Sequence, residues 1–234
     1  MTCEIDSVQA SVEQANQSVI AQSLRDPIQI TTNEQFDTLG FPGSGTSEDP
    51  YRIENLHFIL NDTFWTQIAI AISGTNKSFE ISDCIFEGFI EDFGDWTDVG
   101  GTGVKLILAK NGVISNCEFK TLREGVSLEG SEDIVIEECS FTSTYSMEAE
   151  HGPPEGTVTE YAGSSIKIDS FDDGSTDVMV KDCDMTHFGA GVETSGGSSN
   201  ISIIRNSIVE CNVGIHPQRS QFVEISNNTC LYNV

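Results

Sequence analysis

Apolar and polar residues alternate in short bursts along most of this chain, and a recurring break sets the phase of each burst. In FEISDCIF (79–86), Phe79 and Ile81 alternate with polar residues, Ser82–Asp83 reset the phase, and Cys84 and Phe86 alternate again. Period 2, a corner and period 2 describe two half-buried strands meeting at a bend. The phrase recurs as ISDCIF (81–86), ISNCEF (114–119), IEECSF (136–141) and VKDCDM (180–185), and without the thiol as IRNSIV (204–209) and ISNNTC (225–230). The template is apolar, any, Asn/Asp/Glu, small, any, apolar. Its small residues lie 33, 22, 44, 24 and 21 positions apart, a base period near 22 with residues inserted in two places.

A second alternating stretch opens each period, usually after glycine: GVKLI (103–107), GVSLE (125–129), SIKID (165–169), GVETS (191–195) and GIHPQ (214–218). Three short strands per period predict an all-β solenoid, a triangular parallel β-helix of about seven coils stacked at the ~4.8 Å strand spacing. Equivalent side chains then pile into ladders. Phe86, Phe119, Phe141 and Met185 are expected inside, with the thiols Cys84, Cys117, Cys139 and Cys183 beside them as free, buried, small apolar groups. In-register Cβ atoms sit beyond the ~3.8 Å mean of a disulfide. Ladder neighbours do not converge tetrahedrally on zinc, and no CxxC pair occurs. At the corner, Asp83, Asn116, Glu138, Asp182, Asn206 and Asn227 are expected to form a polar column, since Asn and Asp tolerate left-handed backbone.

Residues 1–26 differ in kind, being rich in Gln, Ser and Ala, with Val8, Val12, Ala15 and Val19 at helical spacing. They read as a linker or a short capping helix, and no charged-then-apolar signal peptide opens them. The solenoid is expected over 27–234: an opening module at 27–60 and repeat coils at 61–234. The last copy, NNTCLYNV (227–234), lacks the glycine and strand that follow the others, so this end is expected either to continue or to self-associate by stacking.

The phrase GFPGSGTSEDPYRIENL (40–56) followed by such coils resembles the beginning of right-handed parallel β-helix proteins of the NosD-like, carbohydrate-binding and sugar-hydrolysis type, over residues 27 to 234. The resemblance implies a right-handed solenoid of the pectate-lyase-like fold and a place outside the cell or on its surface. Relatives of this kind are frequent among large exported proteins of archaea and some bacteria. The fold hosts binding modules, polysaccharide lyases and glycoside hydrolases alike, so function rests on the site.

Charge narrows the partners. With 37 acidic and 11 basic residues the formal charge is −26, which repels phosphate backbones and anionic membranes. No nucleic acid partner and no membrane insertion are expected. Five N-glycosylation sequons, at Asn16, Asn61, Asn76, Asn200 and Asn227, favour an extracellular setting.

The two long excesses over the repeat, 87–101 and 142–163, both fall between the third strand of one coil and the first of the next, and long loops on rigid scaffolds carry sites. They flank a face whose outward positions are Lys105, Ser127, Lys167, Glu193 and His216, with Glu129 and Asp169 just beyond. Aromatic Trp96, Tyr145 and Tyr161 in these loops would stack on sugar rings while the charged groups hold hydroxyls. A polysaccharide or surface glycan is therefore the expected partner, bound without catalysis. The alternatives are a lyase or hydrolase using Asp169 and Glu193 as paired carboxylates, and a structural block assembling end to end. No cofactor is required. The acidic turn DSFDDGSTD (169–177) partly matches a calcium loop through Asp169, Asp173 and Asp177, but has Phe171 at its third position and no closing Glu.

Overall fold

The structure, a computed structural model, describes residues 23–60, 67–92, 97–144, 147–151, 156–160, 163–169 and 174–233. The expected helix of the first segment, together with Cys3, Trp96, Tyr145, Tyr161 and Asp173, lies outside the described residues.

The repeat folds as the parallel β-helix that its periodicity predicts, right-handed as the resemblance implies. Each coil contributes one strand to each of three parallel sheets. Sheet 1 holds Ile28–Ile30, Ile68–Ser73, Thr102–Ile107, Glu124–Glu129, Ser164–Asp169, Ala190–Thr194 and Val213–Pro217. Sheet 2 holds Tyr51–Glu54, Phe79–Ser82, Lys110–Ser115, Glu132–Glu137, Thr176–Lys181, Ser199–Ile204 and Gln221–Ser226. Sheet 3 begins with Ser23–Leu24, paired with Leu56–His57, and continues through Leu56–Ile59, Ile85–Glu87, Glu118–Lys120, Ser140–Thr142, Asp184–Thr186, Ser207–Val209 and Thr229–Leu231. In the first turn a short helix, Glu34–Thr38, presses Phe36 onto Tyr51 with ring centroids 4.6 Å apart.

The core is a set of columns. Phe58, Phe86, Phe119 and Phe141 stack at 5.2, 4.7 and 4.6 Å with nearly parallel rings, and Met185 and Ile208 continue the register. Beside them the four repeat thiols are buried and free. Each donates to the carbonyl two residues earlier, for example Cys117 Sγ to Ser115 O at 3.2 Å, and faces a second carbonyl of the preceding coil, Ile81 O at 3.6 Å. The column therefore supplies acceptors at every thiol, although the sequence pattern suggests an apolar environment there.

The corner between sheets 2 and 3 is one left-handed residue per coil: Asn55, Asp83, Asn116, Glu138, Asp182, Arg205 and Asn227, with φ between 49° and 57°. One position corrects the sequence reading. Arg205, not Asn206, takes the corner, so the repeat copy is 203–208 rather than 204–209, and Ile203 and Ile208 point inward. Ile203 and Ile204 are adjacent, which leaves the period-2 phase ambiguous by one residue, and a slip of one flips every side chain. The core decides it. Asn206 drops into the thiol column, accepting from Cys183 N at 3.0 Å and donating to Val180 O at 3.0 Å. Arg205 is held at the corner by a two-pronged bond to Asp182, at 2.7 and 2.6 Å.

Candidate functional site

The third corner, between sheets 3 and 1, is where coils differ. Where the connection is short it again turns on one left-handed residue: Thr121, His187 and Glu210. Two longer connections instead rise as antiparallel hairpins, Phe89–Asp92 with Thr97–Gly100, and Met147–His151 with Gly156–Glu160. These are the two excesses seen in the sequence. They leave the solenoid on either side of one uninserted coil, whose connection is Thr121, Leu122 and Arg123.

Glycine lets their bases close on that coil. A Cβ on Gly88 would lie 2.2 Å from the carbonyl oxygen of Thr121, and one on Gly163, at φ +77°, would lie 2.0 Å from that of Arg123. The result is a saddle. Over its sheet 3 flank opens a cleft of about 400 Å³ lined by Glu87, Gly88, Lys120, Thr121, Thr142 and Thr144. Thr121 is β-branched yet left-handed at φ 52°, a conformation of order 1–3 kcal/mol above its normal regions. Its hydroxyl meets that of Thr144 at 3.1 Å, while Thr186 donates to Thr142 at 3.5 Å.

Charges run beside the hydroxyls. Lys120 Nζ is 2.7 Å from Glu118 and 3.8 Å from Glu87, whose other oxygen is 3.4 Å from His57 Nε2. The Lys120, Glu118 and Glu87 side chains are partly exposed, so their pairs contribute at most about 1 kcal/mol each and leave the charges available to a ligand. None of the cleft residues stands out in the sequence alone. The available signal is indirect: a short connection, TLRE (121–124), between two long ones.

The mixed face of sheet 1 forms the other flank. Lys105, Ser127, Lys167, Glu193 and His216 are in register on successive strands. Neighbours engage them: Lys105 reaches Glu129 at 2.7 Å, and Lys167 lies 3.5 Å from Glu124 and 3.8 Å from Asp169. Ser195 donates to Asp169 at 2.7 Å, Ser164 to Glu193 at 3.2 Å, and the Gln218 amide contacts the His216 ring at 2.8 Å. Lys167 is directly opposite Glu193, so Asp169 and Glu193 sit on a diagonal of about 8 Å between Cβ atoms. Asp177 is left-handed at the start of its sheet 2 strand and accepts from Asn200, whereas Asp169 closes a sheet 1 strand. Among the described residues, no three His, Cys, Asp or Glu side chains converge as metal ligands, and no helix is long and apolar enough to cross a membrane.

Residues 68–234 match the family described as the right handed beta helix region. The chain belongs to that family. Its coils also superpose on the enzymatically active domain of tailspike protein 2 from bacteriophage CBA120, with a TM-score of 0.52 and 17% identity over 76% of this chain and 24% of that one. The full-length tailspike protein 2 of Escherichia coli O157:H7 bacteriophage CAB120 overlaps with a TM-score of 0.50 and 16% identity, over 75% of this chain and 21% of that one. The chain thus spans a quarter or less of the length of these structures, and at such identities the likeness is one of fold. No curated protein sequence matches it.

Proposed function

We propose that this chain is an exported or cell-surface β-helix module that binds a glycan in the cleft beside its two hairpins. The observation carrying the reading is the hydroxyl-lined space over the uninserted coil between the two hairpins. Its ~400 Å³ suits one or two sugar rings, within the size range of small-ligand sites. Threonine hydroxyls, the Glu87 carboxylate and the Lys120 ammonium offer the mixed donors and acceptors that a polyol needs. A formal charge of −26 favours neutral over polyanionic glycans. An array of neutral and acidic glycans probed with the intact chain tests this. Binding to neutral structures is expected, and Thr142→Arg, an exposed change that fills the cleft, should weaken it at least ~10-fold with the circular dichroism unchanged. Wild-type binding that survives Thr142→Arg would move the site elsewhere.

A catalytic reading has one supporting observation. Register sets the Cβ atoms of Asp169 and Glu193 on a diagonal of about 8 Å, a spacing from which two carboxyl groups can span the ~6.5–9.5 Å used by inverting glycosidases. Loss of turnover with binding retained in Asp169→Asn and Glu193→Gln would make the module an enzyme.

A further inference from the structure

The thiol column is a chemical resource that glycan binding does not use. Cys84, Cys117, Cys139 and Cys183 occupy one register position on four successive coils, fixed on one side by the Ile81, Ile114, Ile136 and Val180 pairings and on the other by Phe86, Phe119, Phe141 and Met185. Each is at most 2% exposed, and all four are free. Consecutive sulfurs are then about one strand spacing apart, ~4.8 Å. That is too far for a disulfide, whose Cβ atoms sit ~3.8 Å apart. It is close to twice a metal–thiolate bond of ~2.3 Å.

We infer that the column is a site for soft, thiophilic metal ions held as linear two-coordinate bis-thiolate bridges between successive coils. Geometry sets the coordination number. A tetrahedral zinc site needs four converging ligands, and no three converge among the described residues, whereas a stack offers collinear pairs. Charge sets the ion. A divalent ion of the mercuric type replaces two S–H protons with two S–metal bonds, releases both protons to solvent, and leaves a neutral unit. A monovalent ion would leave one negative charge buried beside backbone carbonyl oxygens, which cannot stabilise it. Four thiols in a line make two such bridges, Cys84 with Cys117 and Cys139 with Cys183.

The test uses the full chain with Cys3, Cys211 and Cys230 changed to Ser, refolded with mercuric chloride, freed of singly bound ion by excess glutathione, and weighed by native mass spectrometry. Two retained ions are expected, with all four thiols blocked to alkylation on later unfolding. Cys117→Ser should retain one, and Cys117→Ser with Cys139→Ser none. Four ions, no ions in the folded parent, or ions kept by the double variant would each overturn the inference. Should the parent not fold, the difference between the wild-type chain and its Cys117→Ala, Cys139→Ala variant reads the same quantity, with a loss of two ions expected and any other loss contradicting it.

Discussion

At Gly103 and Gly125, glycine opens the sheet 1 strand because the ring of Phe119 or Phe141 faces it. Ala69, Gly103, Gly125, Ser165, Gly191 and Gly214 form one column by register. A Cβ on Gly125 would lie 2.6 Å from the Phe141 ring and 2.5 Å from the Ser165 carbonyl oxygen. Gly125→Ala should therefore cost about 1–3 kcal/mol by overpacking, read as a lower urea midpoint at unchanged slope. Ser165, level with the flexible Met185 rather than a ring, keeps a buried hydroxyl that has no hydrogen-bond partner among the described residues. Ser165→Ala should go the other way and stabilise by about 1 kcal/mol, because it removes an unmet desolvation cost. The thiols obey the same local logic. Hydrogen bonding to Cys139 and burial push the Cys183 thiol well up, so it stays protonated and inert in the closed fold.

At the scale of elements, the hairpins decide where a ligand can sit. An uninserted coil turns on a single left-handed residue, and the cleft opens between that turn and the connections on either side that carry the hairpins. Trp96 belongs to the segment joining Phe89–Asp92 to Thr97–Gly100. If that segment contributes an aromatic platform to the proposed glycan, Trp96→Ala should weaken binding by ~1–3 kcal/mol while sparing the β-dominated circular dichroism. Equal affinity of the variant and the wild type on the array would assign recognition to the threonines and charges alone.

For the whole molecule, excess negative charge competes with ordered ion pairs. The pairs are local, such as Lys181 with Glu137 at 2.6 Å, and join coils with partly exposed partners of small individual worth. Thirty-seven acidic residues against 11 basic ones leave most carboxylates without a countercharge, so long-range repulsion should dominate. Raising salt from ~0.01 M to ~0.5 M shortens the screening length from ~30 Å to under 8 Å and should raise Tm. A Tm that falls with salt would mean that the ion pairs prevail. Acid acts oppositely at Asp182, whose carboxyl Arg205 holds below its ordinary value of 3.8. Stability from that pair is present above the ordinary value and is lost as pH falls through the lowered one.

The sequence by itself determined the solenoid, its period, the aromatic and thiol ladders, and the location of both insertions. Alternation specifies which side chains are buried, and the repeated corner specifies how often the chain turns. Local pattern also identified Asp83, Asn116 and Asp182 as corner residues, because their side chains tolerate left-handed backbone. It misplaced Asn206, since two adjacent isoleucines permit either phase and only packing against Met185 and Cys183 selects one. The tertiary structure alone decided the cleft and the partners of the outward charges. Glu87, Lys120 and Thr142 come together from three coils, and Lys167 finds Glu124 on the preceding one. Each coil return brings together residues more than 20 positions apart, and a period-2 pattern carries no information about what the neighbouring coil places opposite.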